Sequence, residues 1–147
     1  MAKEKNNYQA SILEHTEQCI HKLDNFFTLL SKEKLTDTDY LAIERLLQVL
    51  IEAGIGFAKQ WLKHLGKPVH INAYENMQAL CDLDLMDDKE LTTWKSMIGL
   101  RNVLVHDYLN IDRNIIQAVL KQQAYHAVIQ FIQYGVEQWI PAHPMRG

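Results

Sequence analysis

The stretch DYLAIERLLQVLIEAGIGFAKQWLKHL, from Asp39 to Leu65, is the most hydrophobic part of the chain and gives the strongest indication of its architecture. Its apolar residues recur at spacings of three and four, the period of one face of an α-helix: Ile43, Leu47, Leu50, Gly54, Phe57 and Trp61. Further apolar residues widen this surface beyond a single stripe: Leu46, Val49, Ile51 and Ala53. A helix that is apolar on more than one face lies at the centre of a bundle or packs against a second subunit.

Two glycines, Gly54 and Gly56, interrupt this predicted helix. Each costs about 1 kcal/mol in helix propensity relative to alanine. Either another helix approaches closely at these positions, or the glycines are a tolerated local weakness. The sequence favours the two explanations equally.

Four other segments have helical spacing. They run from about Asn7 to Leu30, from Asn72 to Cys81, from about Asp87 to Tyr108, and from Arg113 to about Ile140. Helix starts are expected after Thr36 or Asp37, Asp87 or Asp88, and Asp112; helix stops are expected at Gly66, Pro141 and Pro144. The pattern predicts an all-α, antiparallel helical bundle of four long helices and one short one. We expect a single domain over residues 1–147, with a loose tail from about residue 141.

Composition narrows the classes of function. With 147 residues and 48% apolar content the chain fits one globular domain, and its two cysteines fit reduced thiols. The polar first residues do not resemble a signal peptide, and no run approaches the about 18 apolar residues of a membrane span. We therefore expect a cytoplasmic protein without a membrane partner. The net charge of −3 argues against a general nucleic-acid binder, so RNA contact would need a local patch such as Arg101 with Lys95.

The fourth segment ends in Arg101-Asn102-Val103-Leu104-Val105-His106-Asp107-Tyr108. Helical spacing places Arg101 on an otherwise apolar stripe with these residues: Leu91, Trp94, Ile98, Val105 and Tyr108. A buried guanidinium keeps its charge and needs an anionic or carbonyl partner, or a ligand. Asn102 and His106 lie on a second, polar stripe.

The pattern Arg-Asn-x-x-x-His-x-Tyr, late in the fourth of five helical segments, resembles the signature of the HEPN-domain ribonuclease toxins of the HepT type. The resemblance implies a HEPN-like homodimer that is the toxin of a type VII (HepT/MNT-like) toxin–antitoxin system. It implies metal-independent endonuclease cleavage of mRNA or tRNA, without a cofactor, by Arg101, His106 and Asn102 at the dimer cleft. It also implies that a nucleotidyltransferase antitoxin of the MNT type silences the toxin by adenylylating Tyr108.

These residue types suit that chemistry. Imidazole titrates near neutrality, so His106 suits proton transfer, and the planar fork of Arg101 matches phosphate oxygens. Five residues of regular helix turn through about 500°, so Arg101 and His106 would project roughly 140° apart. Either the helix loosens before His106, or two subunits bring two copies of the motif together, and the resemblance favours the second.

Other interpretations remain open. The protein could be a non-catalytic HEPN module that binds nucleotide or RNA, or a structural helical dimer that scaffolds a partner. Arg101 could pair with a carboxylate of another helix, His106 could act as a cation at a helix C-terminus, and Tyr108 could be a core tyrosine with its hydroxyl at the rim. His15 and Cys19 share a helix face, but two ligands do not make a zinc site, so no metal is expected.

Overall fold

The computed structural model describes residues 6–139, and these residues form an all-α bundle, as predicted. The helices are α1 (Asn7–Ser31), α2 (Asp37–His64), α3 (Ala73–Asp82), α4 (Asp88–His106), α5 (Arg113–Lys121) and α6 (His126–Trp139), with a 3-10 turn at Tyr108–Asn110 between α4 and α5. None of the helices within residues 6–139 is both long enough and apolar enough to cross a bilayer.

Side-chain caps fix where the helices begin. Thr36 caps α2, and its hydroxyl accepts a hydrogen bond from the backbone N–H of Asp39 at 3.1 Å. Asp87 caps α4 and Asp112 caps α5 in the same manner. Three capping positions expected from the sequence are therefore confirmed, because short polar side chains satisfy N–H groups that have no partner within the helix.

The end of α2 is set by Gly66. This glycine has a φ of 70°, a conformation that costs residues with a side chain, and the N–H of Lys67 bonds to the carbonyl of Leu62 at 2.9 Å. This Schellman motif turns the chain away from α2 towards α3, as the sequence predicted.

Helix α2 occupies the centre of the bundle. It packs against α1, α3, α4, α5 and α6, and its predicted stripe is fully buried, including Leu47, Phe57 and Trp61. Ile51 is also fully buried, while Leu46 and Val49 are partly buried against the same core. Much of the apolar breadth of α2 is therefore used within one chain.

The two glycines of α2 have different explanations. A Cβ atom at Gly54 would lie 2.9 Å from Cζ2 of Trp94 on α4 and 3.2 Å from Cγ1 of Val128 on α6. A Cβ at Gly56 would meet nothing within 4 Å. Close helix approach therefore requires Gly54, whereas Gly56 is a tolerated weakness.

The prediction of one long helix from Arg113 to about Ile140 is wrong. The chain leaves the helical path after Lys121 and resumes it at His126, and Gln123 has a φ of 51°. The N–H of Ala124 bonds to the carbonyl of Val119 at 3.1 Å, which closes α5 as a glycine-containing terminus would. Ile140 and the predicted tail lie outside the described residues.

A carboxylate on α1 holds this break in place. Oδ1 of Asp24 accepts hydrogen bonds from the hydroxyl of Tyr125 at 2.6 Å, Nε2 of His126 at 2.8 Å and Nε2 of Gln123 at 3.3 Å. Burial raises the pKa of Asp24, but the hydrogen bonds from Tyr125 and His126 outweigh it and hold the pKa below its usual value. We call these four residues the anchor cluster. The break forms because a distant residue on α1 binds it, a signal that local periodicity does not carry.

Candidate functional site

The motif lies where α4 ends and the 3-10 turn begins. Helix α4 stays regular through His106, and the N–H of Asp107 bonds to the carbonyl of Val103 at 2.9 Å. Asp107 then organises the turn, because its carbonyl accepts from the N–H of Asn110 at 3.0 Å and its Oδ1 accepts from Nδ2 of Asn110 at 2.8 Å. The role of Asp107 in positioning Tyr108 was not predicted from the sequence.

The apolar stripe predicted for α4 is buried at its start and opens at its end. Leu91, Trp94 and Ile98 are buried, whereas Arg101 and Val105 are only partly covered. Tyr108 lies beyond the helix, in the turn, and is 65% exposed. The interpretation of Tyr108 as a core residue is therefore wrong.

Arg101 pairs with a carboxylate of another helix, one of the partners that the sequence led us to expect. Its Nη1 lies 4.0 Å from Oε2 of Glu52 on α2, and its Nε donates to Oδ1 of Asn102 at 3.1 Å. Glu52 also accepts from Nε2 of Gln48 at 3.5 Å. The Arg101 side chain remains 24% exposed, and its other N–H donors have no partner among residues 6–139.

His106 is the last residue of α4 and is exposed to solvent. Within residues 6–139 its ring has no hydrogen-bond or ion-pair partner. A protonated imidazole at this helix end would interact favourably with the helix dipole. Because α4 is regular through His106, the helix does not loosen between Arg101 and His106, and the two side chains of one chain leave the helix on different sides.

A groove separates the first half of α2 from the end of α4. It forms a cavity of about 340 Å³ that is open to solvent and lies beside Tyr108. Helix α2 contributes Leu41, Glu44, Arg45 and Gln48 to its lining, and α4 contributes Leu104 and Val105. Leu104 and Val105 give the cavity an apolar side, and Arg45 and Gln48 give it a polar one. Burial raises the pKa of Glu44, and the charge of Arg113 opposes that shift.

The α2 side of this groove was not predicted from the sequence. The signal was present, because Leu41, Arg45, Gln48 and Glu52 recur at spacings of four, three and four residues on one helix face. Most of that face is polar, and a polar helix face is ordinarily exposed to solvent. The groove can be recognised only when the position of α4 beside it is known.

Metal ligands do not gather at this site. Across residues 6–139, no three His, Cys, Asp or Glu side chains lie close enough together to hold an ion. Sγ of Cys19 lies 4.0 Å from Nε2 of His15, far along the chain from the motif.

Comparison with known proteins identifies the family. The family model described as ribonuclease HepT-like matches residues 16–134. No curated protein sequence matches the chain.

Solved structures share the fold. A toxin–antitoxin with AMP-PNP aligns with a TM-score of 0.78 at 22% identity, covering 88% of this chain and 98% of that chain. A tri-AMPylated HEPN toxin from Shewanella oneidensis, in complex with an MNT antitoxin, aligns with a TM-score of 0.78 at 23% identity, covering 88% and 96%. The cytosolic protein YutE from Bacillus subtilis, whose function is unknown, aligns with a TM-score of 0.66 at 20% identity, covering 93% and 94%. At these identities the likeness establishes a common fold, and the family match establishes membership: this chain belongs to the HepT-like ribonuclease family.

Proposed function

We propose that the protein is the toxin of a type VII (HepT/MNT-like) toxin–antitoxin pair and acts as a homodimeric, metal-independent RNA endonuclease. The proposal is carried by the bonding and exposure of the two motif side chains, Arg101 and His106. Arg101 is braced by Glu52 and Asn102 with donors still free, and His106 is exposed without a partner within the described residues. Family membership supports the same reaction class.

A dimer is part of the proposal because one chain does not bring the catalytic groups to one side. Arg101 and His106 leave α4 in different directions, so a cleft that contains both needs a second copy of the motif. Exposed apolar side chains near the motif suit such an interface: Val103 and Leu109.

The reaction uses the nucleophile that RNA carries. The 2′-oxygen attacks the adjacent phosphorus, the bond from phosphorus to the 5′-oxygen breaks, and the products end in a 2′,3′-cyclic phosphate and a 5′-hydroxyl. His106 accepts the 2′-hydroxyl proton, and the His106 of the second copy gives a proton to the leaving 5′-oxygen. Arg101 stabilises the charge that develops on the phosphorane oxygens, and Asn102 holds Nε of Arg101 in place.

Regulation is proposed to act on Tyr108, which is exposed and held in a turn by Asp107. A cognate nucleotidyltransferase of the MNT type presents ATP. The phenolic oxygen bonds to the α-phosphorus, pyrophosphate leaves, and the phenol proton passes to solvent. The product carries a negative phosphodiester and a base at the end of α4, which weakens the attraction of the motif for RNA phosphate.

The alternative is a HEPN module that binds nucleotide or RNA without cleaving it. The net charge of −3 favours this alternative. A dimer that only scaffolds a partner is a further outcome of the same experiment.

The test is RNA cleavage by purified protein in excess chelator. Wild type is compared with His106→Ala, with Arg101→Ala and with His21→Ala, a matched control that removes an exposed histidine on α1. The proposal expects cleavage with 2′,3′-cyclic phosphate ends by wild type and His21→Ala only, at equal helical content. Binding without cleavage by all four proteins would favour the binding module, and neither binding nor cleavage would favour the scaffold.

A further inference from the structure

The three arginines within residues 6–139 differ in how their charges are used. Arg101 is paired with Glu52 and Asn102. Nη1 of Arg113 lies 2.8 Å from Oδ1 of Asp37, and its guanidinium stacks 4.1 Å from the ring centre of Tyr40. Arg45 is exposed and has no hydrogen-bond or ion-pair partner among these residues, although it lines the cavity that contains Tyr108.

The cavity has the size and chemistry of a mononucleotide site. Its volume of about 340 Å³ lies within the usual range of small-ligand cavities, roughly 300–1,000 Å³. Leu41, Leu104 and Val105 offer apolar contact to a base, and Gln48 offers an amide that can both donate and accept. Arg45 supplies the planar fork that binds two phosphate oxygens together.

Glu44 also lines the cavity, and its carboxylate would determine the orientation of a bound nucleotide. A carboxylate repels phosphate and accepts hydrogen bonds from amino or hydroxyl groups. The phosphate is therefore expected at Arg45, and Glu44 is left to the ribose hydroxyls or the amino group of the base.

We propose that this cavity receives the adenylyl group after it is attached to Tyr108, with Arg45 binding the phosphodiester and Leu41, Leu104 and Val105 contacting the adenine. The inference rests on the proposed adenylylation of Tyr108 and adds where the attached group goes. The group folds back between α2 and α4 instead of extending into solvent. The silenced state is then held by the toxin's own residues and is protected from hydrolysis.

Protection can be measured directly. Wild type, Arg45→Gln and Lys95→Gln are adenylylated with the cognate nucleotidyltransferase and ATP, and intact mass gives the number of adenylyl groups added to each protein. Lys95→Gln is the matched control, because it removes one positive charge from an exposed position on α4 that does not line the cavity. Each protein is then treated with a nonspecific phosphodiesterase, and the release of AMP is followed over time.

Loss of a charge-assisted hydrogen bond corresponds to about a tenfold change in population, so AMP release from Arg45→Gln should be about tenfold faster than from wild type. Lys95→Gln should match wild type. A second variant, Leu41→Ala, should also release AMP faster, since it removes apolar contact with the base and leaves the charge around Arg45 unchanged. Thermal unfolding of the unmodified variants checks that each is folded.

The outcomes distinguish failure of the cavity proposal from failure of the proposed adenylylation of Tyr108. Equal release rates for wild type, Arg45→Gln and Leu41→Ala would overturn the cavity proposal and leave adenylylation of Tyr108 standing. No increase in the mass of wild type, or an equal increase in Tyr108→Phe, would overturn both.

Discussion

The anchor cluster and the motif at the end of α4 are both polar groups set beside apolar packing, and they differ in how completely they are satisfied. In the anchor cluster one carboxylate, Asp24, accepts three side-chain hydrogen bonds, and the Tyr125 ring behind it is fully buried. At the motif, Arg101 has one carboxylate at 4.0 Å, and His106 and Tyr108 face solvent. A cluster that fixes the fold uses its hydrogen bonds internally, whereas a cluster that binds a ligand leaves donors free. The same polar chemistry therefore serves structure at one place and is available for function at the other.

The largest expected effect is on activity at the motif. His106→Ala should reduce RNA cleavage by about 10²-fold or more, because proton transfer contributes about 10²–10⁴-fold. It should leave the free energy of unfolding nearly unchanged, since His106 is exposed and lacks a partner within residues 6–139. Single-turnover cleavage and urea denaturation measure the two quantities. If His106→Ala clearly lost stability but still cleaved RNA, His106 would be a structural residue, like the residues of the anchor cluster.

The second effect is on stability at the anchor cluster. Asp24→Ala should lower the free energy of unfolding by about 1–3 kcal/mol, because it leaves the fully buried Tyr125 without the acceptor of its hydroxyl. Asp24→Asn retains an acceptor oxygen and should lose less. Urea denaturation of both variants, beside Glu17→Ala at an exposed position of α1, measures the difference. An Asp24→Ala protein as stable as the Glu17→Ala control would show that the cluster does not hold the break between α5 and α6.

The anchor cluster should also show a defined pH dependence. The pKa of Asp24 is lower in the folded protein than in the unfolded chain, so its contribution is complete above the unfolded value of about 3.9. It is lost as the pH falls through the lower, folded value. The difference in unfolding free energy between wild type and Asp24→Asn should thus shrink below about pH 4. A difference that grew on acidification would mean that the carboxylate is not stabilised in its charged form.

The structural features that depend on neighbouring residues in the chain were predicted from the sequence. The stripe of α2, the caps at Thr36, Asp87 and Asp112, and the stop at Gly66 are each encoded by neighbouring residues, and each was predicted. The all-α fold follows from these features together. The position of the motif at the end of the fourth helix was predicted in the same manner.

Features that depend on residues far apart in the chain were not predicted. The break after Lys121 contains neither glycine nor proline and forms because Asp24, about a hundred residues away, binds it. The pairing of Arg101 with Glu52 and the groove between Arg45 and Tyr108 likewise need two helices to be placed first. A guanidinium on an apolar stripe predicts that a partner exists, but the identity of that partner is tertiary information.

The smallest expected effect tests whether the motif is loosely held. Glu52→Gln removes the carboxylate beside Arg101, and a partly exposed ion pair at 4.0 Å should contribute less than about 1 kcal/mol to stability. The neutral amide also frees Arg101 for phosphate, so binding of a non-cleavable 2′-deoxy oligonucleotide should tighten modestly. Urea denaturation and fluorescence anisotropy measure the two effects, with Glu75→Gln as a control for loss of a negative charge at an exposed position of α3.

A loss of stability as large as that of Asp24→Ala, with weaker oligonucleotide binding, would mean that Glu52 holds Arg101 as firmly as Asp24 holds Tyr125. In that event the two clusters would not differ in kind, and the free donors of Arg101 would no longer distinguish a binding site from a structural one.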